Sequence, residues 1–137
     1  MYIGMAVCDE DRKILTDFAK THVSDEGFMV YNHHCTQVFV GKSALPKDYE
    51  VVKPGQKVIA QIDALVVRNS DHAAAFRIKS LVSNGDFIKI QNSCPHITSI
   101  IPLHEKPMIS NSFIGLSSPS VNIIPFKYQL ELTGFWA

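Results

Sequence analysis

A short triplet that could transfer protons and bind a phosphate occurs twice in this chain. His34-Cys35-Thr36 and His96-Ile97-Thr98 each present an imidazole and a hydroxyl two residues apart. One imidazole can accept a proton while the other donates one, and the two hydroxyls can bind the non-bridging oxygens of a phosphate. The six histidines and the threonine content predict only about 0.2 such triplets by chance, so their repetition indicates function.

Both triplets lie in stretches that are typical of β-strands, residues 32–41 and 95–102. Successive strand side chains point to opposite faces, so the His and Thr of one triplet project from the same face. Two such strands could place all four groups on the walls of one cleft. In this pattern His33 faces the other side of its strand, and we assign it no direct catalytic role.

The rest of the chain predicts one helix and further antiparallel strands. An apolar strand over residues 2–7 precedes an amphipathic helix from about Glu10 to Thr21, with Asp9 as its N-cap. Further strands are predicted over 57–68, 73–81, 86–91 and 122–135, with a Pro- and Ser-rich loop and one helical turn over 103–120. A polar loop over 41–55 carries Lys42 and Lys47, which could attract a phosphate or be solvated surface residues. These elements predict an α+β fold with about seven strands.

Composition limits the classes of function. The 137 residues predict a single domain over 1–137, and Lys plus Arg equals Asp plus Glu at 13 each. This neutral balance argues against binding of extended duplex DNA but allows binding of a nucleotide or an RNA end. No apolar run is long enough for a membrane span and no secretory signal is present, so no membrane partner is expected.

The cysteines bear on compartment and on metal binding. Cys8, Cys35 and Cys94 are an odd number without Cys-x-x-Cys spacing, which predicts reduced thiols in the cytoplasm, or the host cytoplasm for a viral protein. Cys35 and Cys94 stand close to the triplet histidines, as a zinc site would require, but Cys35 should point away from the His34 face. The sequence therefore predicts no metal site and no cofactor.

The residues around the second triplet carry a resemblance. Cys94-Pro95-His96-Ile97-Thr98 is followed by Lys106-Pro107 and Ser110-Asn111, and the upstream strand 55–67 has an echo at 73–78. With both triplets, the chain resembles the two-histidine phosphoesterase superfamily over residues 31–111. It is most similar to the cyclic phosphodiesterase domain of fungal and plant tRNA ligases. The resemblance implies a bilobal fold, with antiparallel sheets around a central cleft and a pseudo-twofold axis between the lobes. The few helices of this sequence depart from the superfamily, in which each lobe tends to carry helices.

The resemblance also implies an activity. Enzymes of this kind open 2′,3′-cyclic phosphates at RNA ends without a metal, leaving a 2′-phosphate, during RNA repair and processing. The implied catalytic residues are His34, Thr36, His96 and Thr98. Lys106 and Ser110 are candidates for substrate contacts, and Tyr2, Phe113 or Trp136 could stack on a base, although Trp136 could equally cap the core. The ligase and kinase domains of a tRNA ligase are absent from this sequence, so it could supply only this step.

Two alternatives remain open from the sequence. The substrate could be a cyclic oligonucleotide signal of the kind that phages degrade to escape bacterial defence, or the chain could be an inactive module that binds nucleotides. The sequence does not decide which histidine is the base and which is the acid. Paired-histidine catalysis predicts a rate maximum between about pH 5.5 and 8.

Overall fold

The computed structural model describes residues 2–24, 26–39, 52–90 and 92–136. Lys42, Lys47 and most of the predicted loop around them lie outside these residues. The elements are, in chain order, β1 (Tyr2–Val7), α1 (Asp9–His22), β2 (Phe28–Val30), β3 (His34–Phe39), β4 (Lys57–Arg68), β5 (Ala74–Ser83), β6 (Asp86–Phe87), β7 (His96–Pro102), the 3₁₀ helix Pro107–Ser112 and β8 (Val121–Trp136). The seven predicted strands are present, although within the described residues the one predicted over 86–91 is a strand only at Asp86–Phe87, and β2 is separate from the β3 strand that it precedes.

The strands form an antiparallel barrel. Among the described residues, β7, β3, β1, β8, β4 and β5 pair in that order, and β5 pairs back with β7 to close the ring. The short strands β2 and β6 extend β7 and β5 beyond this ring. The prediction of antiparallel sheets with few helices is confirmed. The finer prediction of two lobes around a central cleft is not confirmed, because the strands belong to one continuous sheet.

The inside of the barrel is a hydrophobic core built from alternate strand positions. Cys35 of β3 and Ile97 of β7 are fully buried in it, and α1 adds Leu15 and Ala19. Burying such side chains is the main source of stability of a domain of this size. Because the middle residue of each triplet points into this core, the residues on either side of it must point outward.

Helix α1 is held in place at its first turn. It begins one residue earlier than predicted, and the N-cap is Cys8, whose Sγ donates to Asp11 Oδ2 at 3.2 Å, whereas the predicted cap Asp9 is already helical. The hydroxyl of Tyr128 on β8 donates to Asp11 Oδ1 at 2.6 Å and ties the helix to the barrel. No helix in the described part of the chain is long and apolar enough to cross a membrane.

A second, smaller core lies on the outer face of the barrel. The segment after β7 folds back over β4 and β5 and buries Phe113 and Ile114 against Val66, Ala75 and Ile101. The prediction that Phe113 could stack on a base is therefore wrong, because its side chain is fully buried. This segment also forms one wall of the cavity described next.

Candidate active site

The barrel places the two triplets side by side on neighbouring antiparallel strands. Cys35 pairs directly with Ile97, so the register puts His34 across from Thr98 and Thr36 across from His96. In such a ladder, residues on the diagonal between adjacent strands are about 7–8 Å apart, and their Cβ atoms are somewhat closer. His34 and His96 occupy one diagonal and the two threonines the other. A phosphate is small enough to lie between them.

The four side chains line a cavity of about 390 Å³ on the outer face of the barrel. This volume falls in the usual range for small-molecule sites. The described residues that line it are Tyr31, His33, His34, Thr36, Asn92, His96, Thr98, Pro107, Met108 and Asn111. The expectation that His34, Thr36, His96 and Thr98 share one cleft therefore agrees with the geometry.

His96 is the more buried of the two triplet histidines, with 8% of its surface exposed. Its Nδ1 lies 2.8 Å from the carbonyl oxygen of Cys94. A carbonyl only accepts hydrogen bonds, so Nδ1 carries the proton and the neutral ring has its lone pair on Nε2. Burial lowers the pKa of His96 below its usual value, against the opposing effect of the hydrogen bond to Cys94.

His34 is half-buried at the opposite corner. Its ring packs edge-on against the ring of Phe135, with centroids 5.9 Å apart. Phe135 fits there because it pairs across the sheet with Gly4, where a Cβ atom would lie 2.8 Å from the Phe135 ring. Burial, and then the neighbouring His33, lower the pKa of His34.

The two threonines are held differently. The Oγ1 of Thr98 lies 3.0 Å from Ser110 Oγ and 3.4 Å from the carbonyl oxygen of Pro107. Ser110 is fully buried behind Thr98 and is not among the residues that line the cavity. Ser110 therefore orients Thr98. The sequence had suggested that Ser110 contacts the substrate, and this position behind Thr98 does not place it in the cavity. Thr36 lines the cavity across from His96.

The other predicted substrate contacts are not among the residues that line this cavity. Lys106 is exposed and lines a neighbouring cavity of about 640 Å³, which shares two lining residues of the 3₁₀ helix with the first. Trp136 is 45% exposed and donates its indole N–H to the carbonyl of Val52 at 3.1 Å, consistent with a residue that covers the end of the barrel. The backbone of Tyr2 pairs with Phe39 at the far end of β1, and its side chain is outside the described part of the structure.

Several lining residues were missed from the sequence. His33 was assigned to the opposite face, but it precedes β3 and lines the cavity together with His34. β3 begins only at His34, and Asn32 before it has a left-handed backbone (φ 57°), so the regular strand alternation does not extend to His33. The backbone N–H of Asn32 donates to the carbonyl of Thr98 at 2.9 Å, which ties the start of β3 to β7. The signal available in the sequence was the residue type, since Asn adopts this conformation more readily than most residues.

Asn92 and Asn111 form the remaining polar wall. The side-chain amide of Asn92 donates to Asn111 Oδ1 at 3.0 Å, and Asn92 Oδ1 accepts from the backbone N–H of Cys94 at 3.0 Å. These bonds hold the turn before β7, whose Cys94 carbonyl in turn orients His96. The two asparagines therefore connect the wall of the cavity to a catalytic candidate.

The cysteines do not complete a metal site. Cys35 is fully buried, and burial raises the pKa of its thiol to about 12, so it is protonated. Within the described residues no group of three or more His, Cys, Asp or Glu side chains has a geometry that could hold a metal ion. The three histidines that line the cavity, His33, His34 and His96, therefore do not form such a group.

The chain matches no protein-family model, and no curated protein and no solved structure matches it significantly.

Proposed function

We propose that this chain is a metal-independent phosphodiesterase of the two-histidine type, which hydrolyses a nucleoside 2′,3′-cyclic phosphate at an RNA end. The observation that carries the proposal is the register Cys35–Ile97, which brings both His-x-Thr pairs to one cavity. An antiparallel pair has a local twofold axis at directly opposed residues. This axis relates one triplet to the other and supports a pseudo-twofold relation between two halves of the fold, the bilobal arrangement that the resemblance implies.

The arrangement suits a mechanism with one base and one acid. His96 is the better candidate for the base, because its deeper burial favours the neutral ring and its Nε2 carries the lone pair. Its Nε2 removes a proton from water as the water oxygen bonds to phosphorus. The bond from phosphorus to the 3′ oxygen breaks, and His34 protonates that oxygen. The product is a terminal 2′-phosphate with a free 3′ hydroxyl.

The threonines supply hydrogen bonds to the phosphoryl oxygens, where negative charge increases in the transition state. Ser110 holds the Thr98 hydroxyl at 3.0 Å, so little reorganisation is needed when the substrate binds. Both histidines have lowered pKa values in the fold. An anionic phosphate between them favours the protonated form of one imidazole, and we propose that substrate binding thereby charges the acid.

The proposal includes the setting of the enzyme. All three cysteines are free thiols, and a reducing compartment such as the cytoplasm preserves them. The partner is a nucleotide or an RNA end, and the step belongs to RNA repair or processing.

A substrate panel tests this function. The purified chain is incubated with nucleoside 2′,3′-cyclic phosphates, RNA with a cyclic phosphate end and cyclic dinucleotides, and products are assigned by phosphorus NMR. We expect a 2′-phosphate from the first two, with activity unchanged by EDTA. Cleavage of cyclic dinucleotides alone would contradict the RNA-end substrate, and loss of activity on chelation would contradict the mechanism.

The matched variants are His34→Asn and His96→Asn, with His72→Asn as the control. His72 is exposed in the turn between β4 and β5 and has a left-handed backbone that Asn tolerates. We expect the two cavity variants to lose about 10²-fold or more in turnover and the control to keep its rate. Near-normal rates in both cavity variants would refute the proposed function.

A further inference from the structure

Arg12 on α1 contacts two residues that line the candidate active site. Its Nε donates to the carbonyl of Tyr31 at 3.0 Å, and its Nη2 lies 3.1 Å from Nε2 of His33. Both Tyr31 and His33 line the cavity. Arginine is always a donor, so His33 Nε2 accepts and the His33 ring is neutral with its proton on Nδ1. Arg12 therefore stands at the rim of the cavity, in contact with two neutral groups.

The charge of Arg12 lacks the partner that the other two arginines have. Arg68 and Arg77 each make two hydrogen bonds to one aspartate, Asp71 and Asp63 respectively. Among the described residues, no carboxylate lies within ion-pair distance of Arg12, although its side chain is partly buried. A partly desolvated guanidinium without a counterion is favourable to an incoming anion. Two of its five N–H donors are used, so three remain for a ligand.

The surface beside Arg12 continues as a shallow groove. The groove is lined by Asp9, Arg12, Lys13, Thr16, Asp17, Lys20 and Val30. Three cations and two carboxylates give it a small positive balance, and Arg12 is the residue where it meets the rim of the cavity. A chain that leaves the cavity past Tyr31 and His33 would therefore reach Arg12 first.

We propose that Arg12 binds a second phosphate of the substrate, the phosphodiester on the 5′ side of the nucleotide whose cyclic phosphate lies between His34 and His96. This inference rests on the proposed function and specifies its substrate as an RNA end of two or more nucleotides. The planar fork of the guanidinium suits two oxygens of one phosphate. A free nucleoside 2′,3′-cyclic phosphate lacks this group and forgoes the contact.

The first test is a comparison of two substrates. A nucleoside 2′,3′-cyclic phosphate is compared with the dinucleotide that ends in it. We expect a kcat/KM about tenfold or more higher for the dinucleotide, the scale of one hydrogen-bonded charge contact, expressed mainly in KM. Arg12→Gln should bring this preference close to one, and Arg12→Lys should retain part of it. Lys127→Gln, an exposed change on β8, is the matched control and should keep the preference.

A second variant separates phosphate binding from a structural role. His33→Gln changes the contact with Arg12 but leaves the cation in place. If Arg12 binds the phosphate, the preference for the dinucleotide persists in this variant and weakens with added salt in the wild type. If Arg12 only positions His33, Arg12→Gln and His33→Gln lose activity equally on the cyclic nucleotide and on the dinucleotide. That result overturns the proposal.

Binding measurements keep the two proposals distinguishable. Calorimetry compares adenosine 2′-monophosphate with adenosine 2′,5′-bisphosphate, which requires no turnover. Tighter binding of the bisphosphate that is lost in Arg12→Gln supports the Arg12 site, whether or not any substrate is cleaved. The absence of cleavage would refute only the proposed function. Equal binding, or equal turnover of both substrates by the wild type, overturns the Arg12 site while the proposed function stands.

Discussion

The division of labour between the two histidines can be tested by changing the leaving group. The perturbations are His96→Asn and His34→Asn. An Asn at position 96 can still donate its side-chain amide to the Cys94 carbonyl, 2.8 Å from Nδ1 in the wild type, so the turn before β7 is preserved while the base is lost. Because His96 is only 8% exposed, its truncation should cost about 1–2 kcal/mol of stability, which thermal unfolding measures.

The expected magnitudes follow from the roles. Loss of a positioned acid or base costs about 10²–10⁴-fold, or about 3–5 kcal/mol of transition-state stabilisation. Both variants should show this loss on a nucleoside 2′,3′-cyclic phosphate, whose alcohol leaving group needs a proton. On a nucleoside p-nitrophenyl phosphodiester the leaving group departs without a proton. There we expect His34→Asn to recover to within about tenfold of the wild type, while His96→Asn stays impaired.

The assay is kcat/KM by phosphate-product analysis for the cyclic substrate and by absorbance for the nitrophenyl ester. Rescue of His96→Asn in place of His34→Asn would show that burial and the Cys94 hydrogen bond do not identify the base. Equal impairment of both variants on the activated ester would refute the division into acid and base altogether.

Three further predictions concern the surroundings of the histidines. Thr36→Ala and Thr98→Ala should lower kcat by about 10²-fold, and the Ser variants should retain most of it, since a hydroxyl is sufficient to bind the phosphoryl oxygen; equal losses would indicate packing of the methyl group. The free energy of unfolding should rise as the pH increases toward 7 and fall as the pH drops below 6.5. His33, His34 and His96 all have lowered pKa values in the fold, so the unfolded chain binds more protons than the folded chain below pH 6.5. Urea titrations at several pH values should show a shallower pH dependence of stability in the His34→Asn/His96→Asn double variant. Gly4→Ala should cost about 1–3 kcal/mol and lower kcat, since its Cβ would lie 2.8 Å from the Phe135 ring that contacts His34; adding Phe135→Leu should restore stability, and a fully stable Gly4→Ala protein would contradict the close packing.

The same lowered pKa values of His34 and His96 restrict the pH range in which the rate maximum is expected. The profile of kcat/KM reports the free enzyme, so its maximum should lie on the acidic side of 6.5, within the lower part of the range that the sequence predicts. The profile of kcat reports the complex, where the phosphate favours protonation, and should lie at higher pH. The two limbs belong to the coupled pair of histidines. A kcat/KM maximum above pH 7.5 would contradict the effect of burial.

The local part of the structure could be predicted from the sequence. Alternation and apolar spacing located α1, β4, β7 and β8 closely, because these signals depend on neighbouring residues. The same periodicity correctly placed Cys35 on the opposite face of its strand from His34 and Thr36. Because only about 0.2 His-x-Thr triplets are expected by chance, the sequence also linked the two triplets, which lie some sixty residues apart.

The long-range part could not be predicted. Nothing local states that β3 pairs with β7, or that β5 pairs with the other edge of β7 to close a barrel. The segment 103–120 reads as a polar loop, yet it buries Phe113 and Ser110 because the outer face of β4 and β5 offers it an apolar surface. His33 was misassigned because β3 begins only at His34, after the left-handed Asn32, so the alternation on which the interpretation depended does not extend to His33.

The seam between β3 and β7 also has a consequence for folding. These strands meet through a single paired register, Cys35 with Ile97, between parts of the chain that are distant in sequence. Like the pairing of β1 with β8, which joins the two ends of the described chain, this contact requires closure of a long intervening segment and forms more slowly than the local pairing of β4 with β5. A chain in which only local strand pairs such as β4 with β5 have formed would still hold its two triplets apart. Recovery of activity during refolding should therefore lag behind recovery of the β-sheet signal. The return of enzyme turnover would report when β3 and β7 pair.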